Sequence, residues 1–485
     1  MSILSYVDQS NNQLVNFSSL LNFVEKETEN IQIKILLENI AQLDNQFFKS
    51  GEWKKDYNCN GFAKRTIITQ FGSITFKRRY YMNKDRSLHD NFYYVDSQLE
   101  IPQRKHFTLE ALALIFNMSC EVNASYAAKN AIPGVVISKQ TVSNYQKNIN
   151  TLVDNIPNIK ETLKKDSDDT EIIYIEADEA HCNLQHENTK NDNSDEIKTS
   201  KKDKKKVQTK NIINKLILIH TGHKDLNLRL KRKSLANKRY FGGIHMPVSS
   251  LVDNVLHYVS STYDLSKVKY IFISGDGARW IKSFGKELSE ILCRNHENLR
   301  IIQVLDKFHC NKYLSSIFNH QSEILGFIND EILTLTKERF TKITDSFFAF
   351  CEKRNISEVA FNDKVEYIIN NLELIKNQKH DYYQCHCAME GQVSHILANR
   401  LTSRPRGFSE PTLQNLTQML IHKSNNNYIS VDNVKEWIKP VFVYKKTKYN
   451  TVLKNYKPTY ESNIKIPILD STDTKMKKYV KSVFF

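Results

Sequence analysis

Three acidic residues of this chain stand where chemistry is possible. Asp178 closes the apolar run "IIYIEAD", Asp276 ends another in "FISGDGARW", and Glu390 lies in "AMEGQVSHILANRLTSRPRG", near the start of a stretch with apolar residues at helical spacing. A carboxylate at the end of an apolar strand loses solvation unless something pairs with it. Two strand-end aspartates and a helical glutamate can converge on one point. Converging hard oxygens suit Mg²⁺, which keeps several waters and takes few protein carboxylates. Two such ions about 3.5–4 Å apart activate a nucleophile and stabilise the leaving oxygen of a phosphodiester. Glu176 and Glu179 accompany Asp178. Period-two alternation puts Glu176 on the same strand face as Asp178, so spacing alone does not separate them.

Two further groups bear on the same chemistry. "VLDKFHCNKYL" places Asp306 and His309 three residues apart at a helix start. They orient a loop, contact DNA or steady the site, or else form a helix cap with a surface histidine. Cys385 and Cys387 flank His386 in "CHCAME". A zinc site there needs further ligands, for which His309 and Cys310 are the candidates; the alternative is a pair of buried thiols packing a helix start.

The elements that must position these residues can be read from periodicity. Residues 1–50 alternate at helical spacing, and "RTIITQFGSITFKRRYYM" reads as a hairpin turning at Gly72 and Ser73. From Phe107 to Val153 the pattern is helical again. In "SYAAKNAIPGVVISKQTVSNYQKNI" a small-residue helix, a Pro-Gly break and Ser138 as the cap of a second helix suggest a helix-turn-helix. Its second helix would present Lys139, Gln140, Ser143, Asn144 and Lys147 to a DNA groove; the alternative is an ordinary helical hairpin. Apolar strands recur at 172–178, 214–221, 269–275 and 300–305, with helices after 248 and 278, the rhythm of a mixed α/β domain. The segment 187–210 is polar and Lys-rich, 311–384 reads as all-helical, and the end from Pro440 carries ten lysines against Glu461, Asp470 and Asp473.

Composition bounds the partners. The 485 residues are 40% hydrophobic and 11% aromatic, enough for packed cores, and carry a formal net charge of +15. Such an excess favours a polyanion, since each neutralised phosphate releases counterions. No apolar run reaches the ~18 residues of a membrane span, and the start has no signal-peptide pattern. Eight scattered cysteines suit reduced thiols in the cytosol.

Taken together, "YIEADEAH", "GDGARWIK", "LDKFHCNKYL" and "EGQVSHILANRLTSRPRG" resemble the Lre-type bacterial insertion-sequence transposases, a group related to the Mutator-like DDE transposases. The likeness runs from about residue 70 to 410 and includes "KRRYY", "ISKQTVSN" and "NKRYFGG". "RPRGF" departs from the Arg-Pro-Met-Gly-Trp expected of the group. The resemblance implies an α/β protein with an RNase H-like mixed-sheet core, an all-helical insertion and an N-terminal helical and β-hairpin DNA-binding region. Its expected layout is 1–105, a helix with a hairpin; 106–165, a helix-turn-helix-like region; 166–310, the first part of the core; 311–384, the insertion; 385–438, the end of the core; and 439–485, a basic tail. It implies that Asp178, Asp276 and Glu390 form the DDE triad, holding two Mg²⁺ (or Mn²⁺) ions, with Asp306, His309 and Glu179 as auxiliaries. Arg279, Trp280, Arg400, Arg404 and Arg406, inside these motifs, are expected to contact DNA. The expected activity is phosphodiester hydrolysis and strand transfer on double-stranded element ends and target, by a cytoplasmic homo-oligomer of an insertion sequence or integrative element. The alternatives are a catalytically silent protein that occupies element ends and an RNase H-type nuclease.

Overall fold

A computed structural model describes residues 17–151, 170–185, 209–224, 234–351, 357–385, 387–403 and 407–438. The expected tail at 439–485, most of the Lys-rich 187–210 segment, His386, Arg404 and Arg406 lie outside the described residues. Those described fall into two compact units, one of 17–115 with 128–138 and one of 116–127 with 139–438. The stretch 106–165, expected as one DNA-binding region, is divided between them.

The first unit is a helix laid on a small antiparallel sheet. Helix α1 (Phe17–Ser50) precedes strands β1 (Tyr57–Thr69), β2 (Gly72–Asn83) and β3 (Phe92–Tyr93), ordered β1-β2-β3, and the short helix α2 (Tyr94–Gln98) follows. Alternation explains the strands: Ile67, Ile74 and Phe76 point inward against Ile40 of α1 and Val95 of α2, while Lys64, Thr66, Thr75 and Lys77 point to solvent. The hairpin is as expected, but its turn is Gln70–Phe71, with Gly72 and Ser73 opening β2. Thr69 holds that turn: its Oγ1 accepts from Phe71 N (3.1 Å) and donates to the Gly72 carbonyl (3.0 Å). "KRRYY" is spent on this core. Arg78 pairs with Asp96 at 2.7 Å, Arg79 pairs with Asp44 at 2.6 Å, and Tyr81 is buried among Phe47, Trp53 and Phe92.

The second unit is built on a five-stranded mixed sheet. Strands β4 (Ile172–Gln185), β5 (Thr209–His220), β6 (Arg239–Ile244), β7 (Tyr270–Gly275) and β8 (Arg300–Leu305) lie in the order β6-β5-β4-β7-β8. The β4/β5 and β5/β6 pairs are antiparallel; β4/β7 and β7/β8 are parallel. Chain entering this unit supplies parts of α3 (Leu109–Glu121) and α4 (Ala124–Asn130) and all of α5 (Lys139–Asn148). Helices α6 (Val248–Thr262) and α7 (Arg279–Asn295) make the crossovers of the parallel half and cover one sheet face. Val252, Val255, Phe284 and Leu288 there meet Ile173, Ile175, Ile271 and Ile273. β6, the "RYFGGI" strand, was not among the strands read from sequence.

After β8 the chain is helical: α8 (Lys307–Ile317), α9 (Ser322–Glu331), α10 (Lys337–Cys351), α11 (Glu358–Asn370) and α12 (Leu372–Lys376). They share a core of Leu314, Phe318, Ile328, Phe340, Phe361 and Ile368, joined to the sheet through Leu305. Then come α13 (Met389–Val393), a π-helical turn (Ser394–Ala398), α14 (Asn399–Leu401), α15 (Glu410–Asn426) and α16 (Val431–Ile438). α15 is tied by Asn415 to the Gln146 and Ile149 carbonyls at the end of α5 and by Gln418 to the Gly242 carbonyl of β6. No described helix is long and apolar enough to cross a membrane.

The Arg79–Asp44 pair generates a test of the first unit. Both side chains are buried, at 12% and 3% exposure. Removing one partner of a buried pair strands the other charge, which costs about 3–5 kcal/mol. Asp44→Ala should therefore lower stability by about that much in urea unfolding. A loss below about 0.5 kcal/mol would show that the pair behaves as a solvated surface contact.

Candidate functional site

The parallel half of the sheet sets the site. Ala177, Gly275 and Leu305 stand side by side across β4, β7 and β8, and the next residue after each is an aspartate: Asp178 on β4, and Asp276 and Asp306 immediately past the ends of β7 and β8. The ladder continues one step further, Asp306 N donating to the Gly275 carbonyl at 2.7 Å. Three consecutive strands thus deliver three acids at one level, because residues in register on parallel strands project to the same side.

Each acid is answered differently. Asp178 Oδ1 accepts from Glu179 N at 2.7 Å. Burial pushes its carboxyl up to about 6; the charges of Asp276 and Glu179 add to that, while the Glu179 amide and His309 oppose it. Asp276 Oδ1 accepts from Ala278 N at 2.8 Å, and its carbonyl accepts from the Tyr367 hydroxyl of α11. Asp306 is buried and does both things considered for it: Oδ1 caps α8 through Phe308 N (3.2 Å), and Oδ2 meets His309 Nδ1 at 2.9 Å. That bond raises the pKa of His309; burial opposes it, and the charges of Asp306, Asp178 and Asp276 reinforce it. His309 is therefore no plain surface histidine. It sits in the combined field of all three aspartates.

The glycines of "GDG" serve packing. A Cβ on Gly275 would stand 2.6 Å from the Ala177 carbonyl oxygen, and Gly277, at φ +79°, would put one 2.6 Å from Asn371 Oδ1. They let β7 close on β4 and let the turn after Asp276 fit under α11.

Glu390 is placed by Glu176, which spacing left undistinguished from Asp178, and by His220 and Tyr240, which the sequence did not flag. It is exposed in the first turn of α13. Glu176, 1% exposed, shares its strand face with Asp178 but points into the protein. Its Oε1 meets Nε2 of the fully buried His220 at 3.0 Å, and its Oε2 accepts from Ala388 N at 2.8 Å. His220 Nδ1 accepts from Gly222 N at 3.0 Å, which leaves its Nε2 as the proton donor to Glu176. Glu176 is thus a clamp on the segment that carries Glu390. Beyond it, Tyr240 of β6 donates to Gln392 Oε1 at 2.6 Å. Asp178 and Glu390 each lie two residues from the Glu176–Ala388 bond. A π-helical turn follows at once, a device common at functional sites.

The other expected site residues fall as follows. Glu179, half-buried, accepts from Trp280 Nε1 at 2.6 Å, so both are engaged in fixing α7 to β4, with Lys215 over the indole at 5.5 Å. Arg279 is exposed. Arg400 is buried and its Nε donates to the Ser119 carbonyl at 2.7 Å, which makes it a tie between helices instead of a DNA contact. Lys139, Gln140, Asn144 and Lys147 are exposed on α5 and Ser143 partly so, with Val142 and Gln146 buried beneath. Cys385 Sγ lies 3.3 Å from His223 Nε2, and burial holds the Cys387 thiol well above its ordinary range. The seven cysteines whose side chains are described are free thiols. Among the described residues, no three His, Cys, Asp or Glu groups are gathered closely enough to hold a metal ion as the side chains stand.

The clamp can be tested directly. Glu176→Ala removes the acceptor of the buried His220 Nε2 and of the part-buried Ala388 amide, a stranded buried donor costing about 1–3 kcal/mol. The Ala388 amide should be protected from hydrogen exchange in the wild type and exchange at least about tenfold faster in the variant, by the 1.4 kcal/mol-per-decade relation. Unchanged protection at Ala388 would mean that Glu176 does not hold the segment.

Comparison with known proteins gives a family. Two proteins of Caldanaerobacter subterraneus subsp. tengcongensis from uncharacterised family UPF0236 are each 27% identical over 414 residues, covering 85% of this chain and 79% and 75% of their own lengths. Among solved structures, a Drosophila P element transposase strand transfer complex matches with 13% identity and a TM-score of 0.23, over 70% of this chain and 87% of that one. The family model of UPF0236 matches residues 10–436, so the chain belongs to this uncharacterised protein family.

Proposed function

We propose that this chain is a DDE-type DNA transposase with an RNase H-like core, catalysing metal-dependent phosphodiester hydrolysis and strand transfer. The observation that carries the reading is the in-register delivery of Asp178 and Asp276 from adjacent parallel strands, each within the other's field. The sheet supports it: a central first strand carries the first acid, an antiparallel hairpin lies on one side and parallel strands on the other. The net charge of +15 favours a polyanionic substrate. One family member, 26% identical, is named for eleven loci of a single genome. Repetition of one gene across a genome is what a mobile DNA unit produces.

The donor set fits a hard divalent cation in kind. Asp178 and Asp276 offer carboxylate oxygens that repel each other, a repulsion a cation between them would relieve. Glu390, exposed in the first turn of α13 two residues past the clamp, would supply the third carboxylate. Bound there, Mg²⁺ or Mn²⁺ would lower the pKa of a water and stabilise the leaving oxygen of a phosphodiester. The chain's own residues do the positioning. Asp306 orients His309 beside the aspartates, and the bond between them raises the imidazole pKa. Glu176 fixes the backbone before Glu390, and Tyr367 fixes the backbone of Asp276.

The test is cleavage of a labelled duplex carrying an end of the element. Asp178→Asn, Asp276→Asn and Glu390→Gln should each lower cleavage by about 10³-fold or more, with DNA affinity near wild type. Glu179→Gln should keep it, because Glu179 serves Trp280. Chelation should abolish cleavage and Mg²⁺ restore it. Robust cleavage in chelator, or near-wild-type rates in all three variants, would sink the mechanism. Binding with no cleavage under any metal would identify a silent end-binding protein, and preference for an RNA–DNA hybrid a nuclease.

A further inference from the structure

The β1–β2 hairpin of the first unit has an electrostatic peculiarity that its own fold does not explain. Its two strands contain five basic residues, Lys64, Arg65, Lys77, Arg78 and Arg79, and no acid. Three of the five are spent internally. Arg78 pairs with Asp96, Arg79 with Asp44, and Arg65 donates to the Pro102 and Lys105 carbonyls. Lys64 and Lys77 remain, exposed and with no ion pair among the described residues. They are also directly opposite each other in the ladder. Directly opposed residues hold their Cβ atoms about 4.5–5.5 Å apart, and like charges there destabilise the sheet.

The neighbours on that face are of a kind. Thr66 and Thr75, the next pair, are exposed and joined hydroxyl to hydroxyl at 2.8 Å; Ser73 is exposed beyond them. On the other side Phe62, 58% exposed, lies opposite Arg79, whose guanidinium stands 4.5 Å over its ring. An outward face of two unpaired lysines, three hydroxyls and an exposed aromatic ring is a set of phosphate donors beside an apolar contact. A two-stranded ribbon of this width enters the major groove of a duplex.

We infer that the outward face of the β1–β2 hairpin, centred on the Lys64–Lys77 pair, is a docking surface for the phosphate backbone of double-stranded DNA. The inference rests on the transposase reading only for the choice of DNA as the polyanion. The opposed lysines are a self-repulsion that a phosphate between them removes, so binding and folding place opposite demands on these two positions.

That opposition supplies the test. Full-length wild type, Lys64→Gln/Lys77→Gln and Lys64→Glu are titrated with a random-sequence DNA duplex over a range of salt, and their thermal unfolding is measured. The double glutamine variant should bind at least about tenfold more weakly, with a log–log salt slope shallower by about 1.8, two phosphates at ~0.9 each. Lys64→Glu, which places a carboxylate opposite Lys77 and changes the charge by the same amount as the double glutamine variant, should unfold at the same or a higher temperature than wild type while binding at least about tenfold more weakly than wild type. A wild type that binds the duplex with variants of unchanged affinity and slope overturns this inference and leaves the transposase reading standing. A wild type that binds no duplex at low salt overturns both. Equal loss of binding to an acidic polypeptide, held by wild type as tightly as the duplex, makes the face a protein-docking surface and overturns the assignment to DNA.

Discussion

The close approach of β7 to β4 is the constraint on which the rest of the second unit depends. It is possible because position 275 has no side chain: any Cβ there would meet the Ala177 carbonyl oxygen at 2.6 Å. With that spacing fixed, the ladder Ala177–Gly275–Leu305 is fixed, and so is the level at which Asp178, Asp276 and Asp306 emerge. Register in a parallel sheet is all-or-none for side-chain direction, since a slip of one residue would turn each aspartate to the other face. Burial of Ile173, Ile175, Ile271 and Ile273 under α6 and α7 makes such a slip prohibitively costly. Asp178 and Asp276 are gathered by hydrophobic burial three and five residues earlier in the chain.

Gathering them has an electrostatic cost, and the structure distributes it unevenly. Glu176, most deeply buried, is fully answered by His220 and the Ala388 amide. Asp306 is answered by a helix start and by His309. Asp178 receives one backbone hydrogen bond against burial and two neighbouring negative charges, and its pKa rises to about 6. The acid left least satisfied is the one with most to gain from a cation. Residues of one type, within a single strand and its neighbours, thus divide into a clamp, an orienting group and candidate ligands according to what surrounds them.

What the sequence showed and what it hid follow the range of the interactions. Strands β4, β5, β7 and β8 and helices α6 and α7 were legible because apolar runs and helical periods are local. The helical stretch after β8 was legible for the same reason. β6 was not, because "RYFGGI" has two glycines and no alternation; it is a strand because Tyr240, Phe241 and Gly242 pair with β5 and Gln418 of α15 holds the Gly242 carbonyl. The hairpin turn was misplaced by two residues because Gly72 marks a turn in sequence, whereas Thr69 supplies the local hydrogen bonds that fix it. Trp280 and Arg400 look like DNA contacts by type, yet their partners, Glu179 and Ser119, are 101 and 281 residues away. Glu176 could not be told from Asp178 by period, since both share a face; the difference lies in His220 on the neighbouring strand and Ala388 far down the chain.

The long helical segment between β8 and Glu390 acquires a physical role from these contacts. Tyr367 of α11 bonds the Asp276 carbonyl, and Asn371 bonds the Tyr367 carbonyl at 2.8 Å while filling the space left by Gly277. Further on, Asn377 and Gln378 donate to the Gln303 and Leu305 carbonyls of β8. Both ends of the segment therefore report to the strand ends that carry the acids: α8 is capped by Asp306 itself, and α11 and the turn after α12 are stitched to Asp276 and β8. A segment so attached cannot shift without moving the backbone of two aspartates. Its outer surface has a short path to the site, through Tyr367 to the backbone of Asp276. The tether that allows this is a handful of side chain-to-carbonyl bonds, each individually modest, acting on residues whose register the parallel ladder has already fixed.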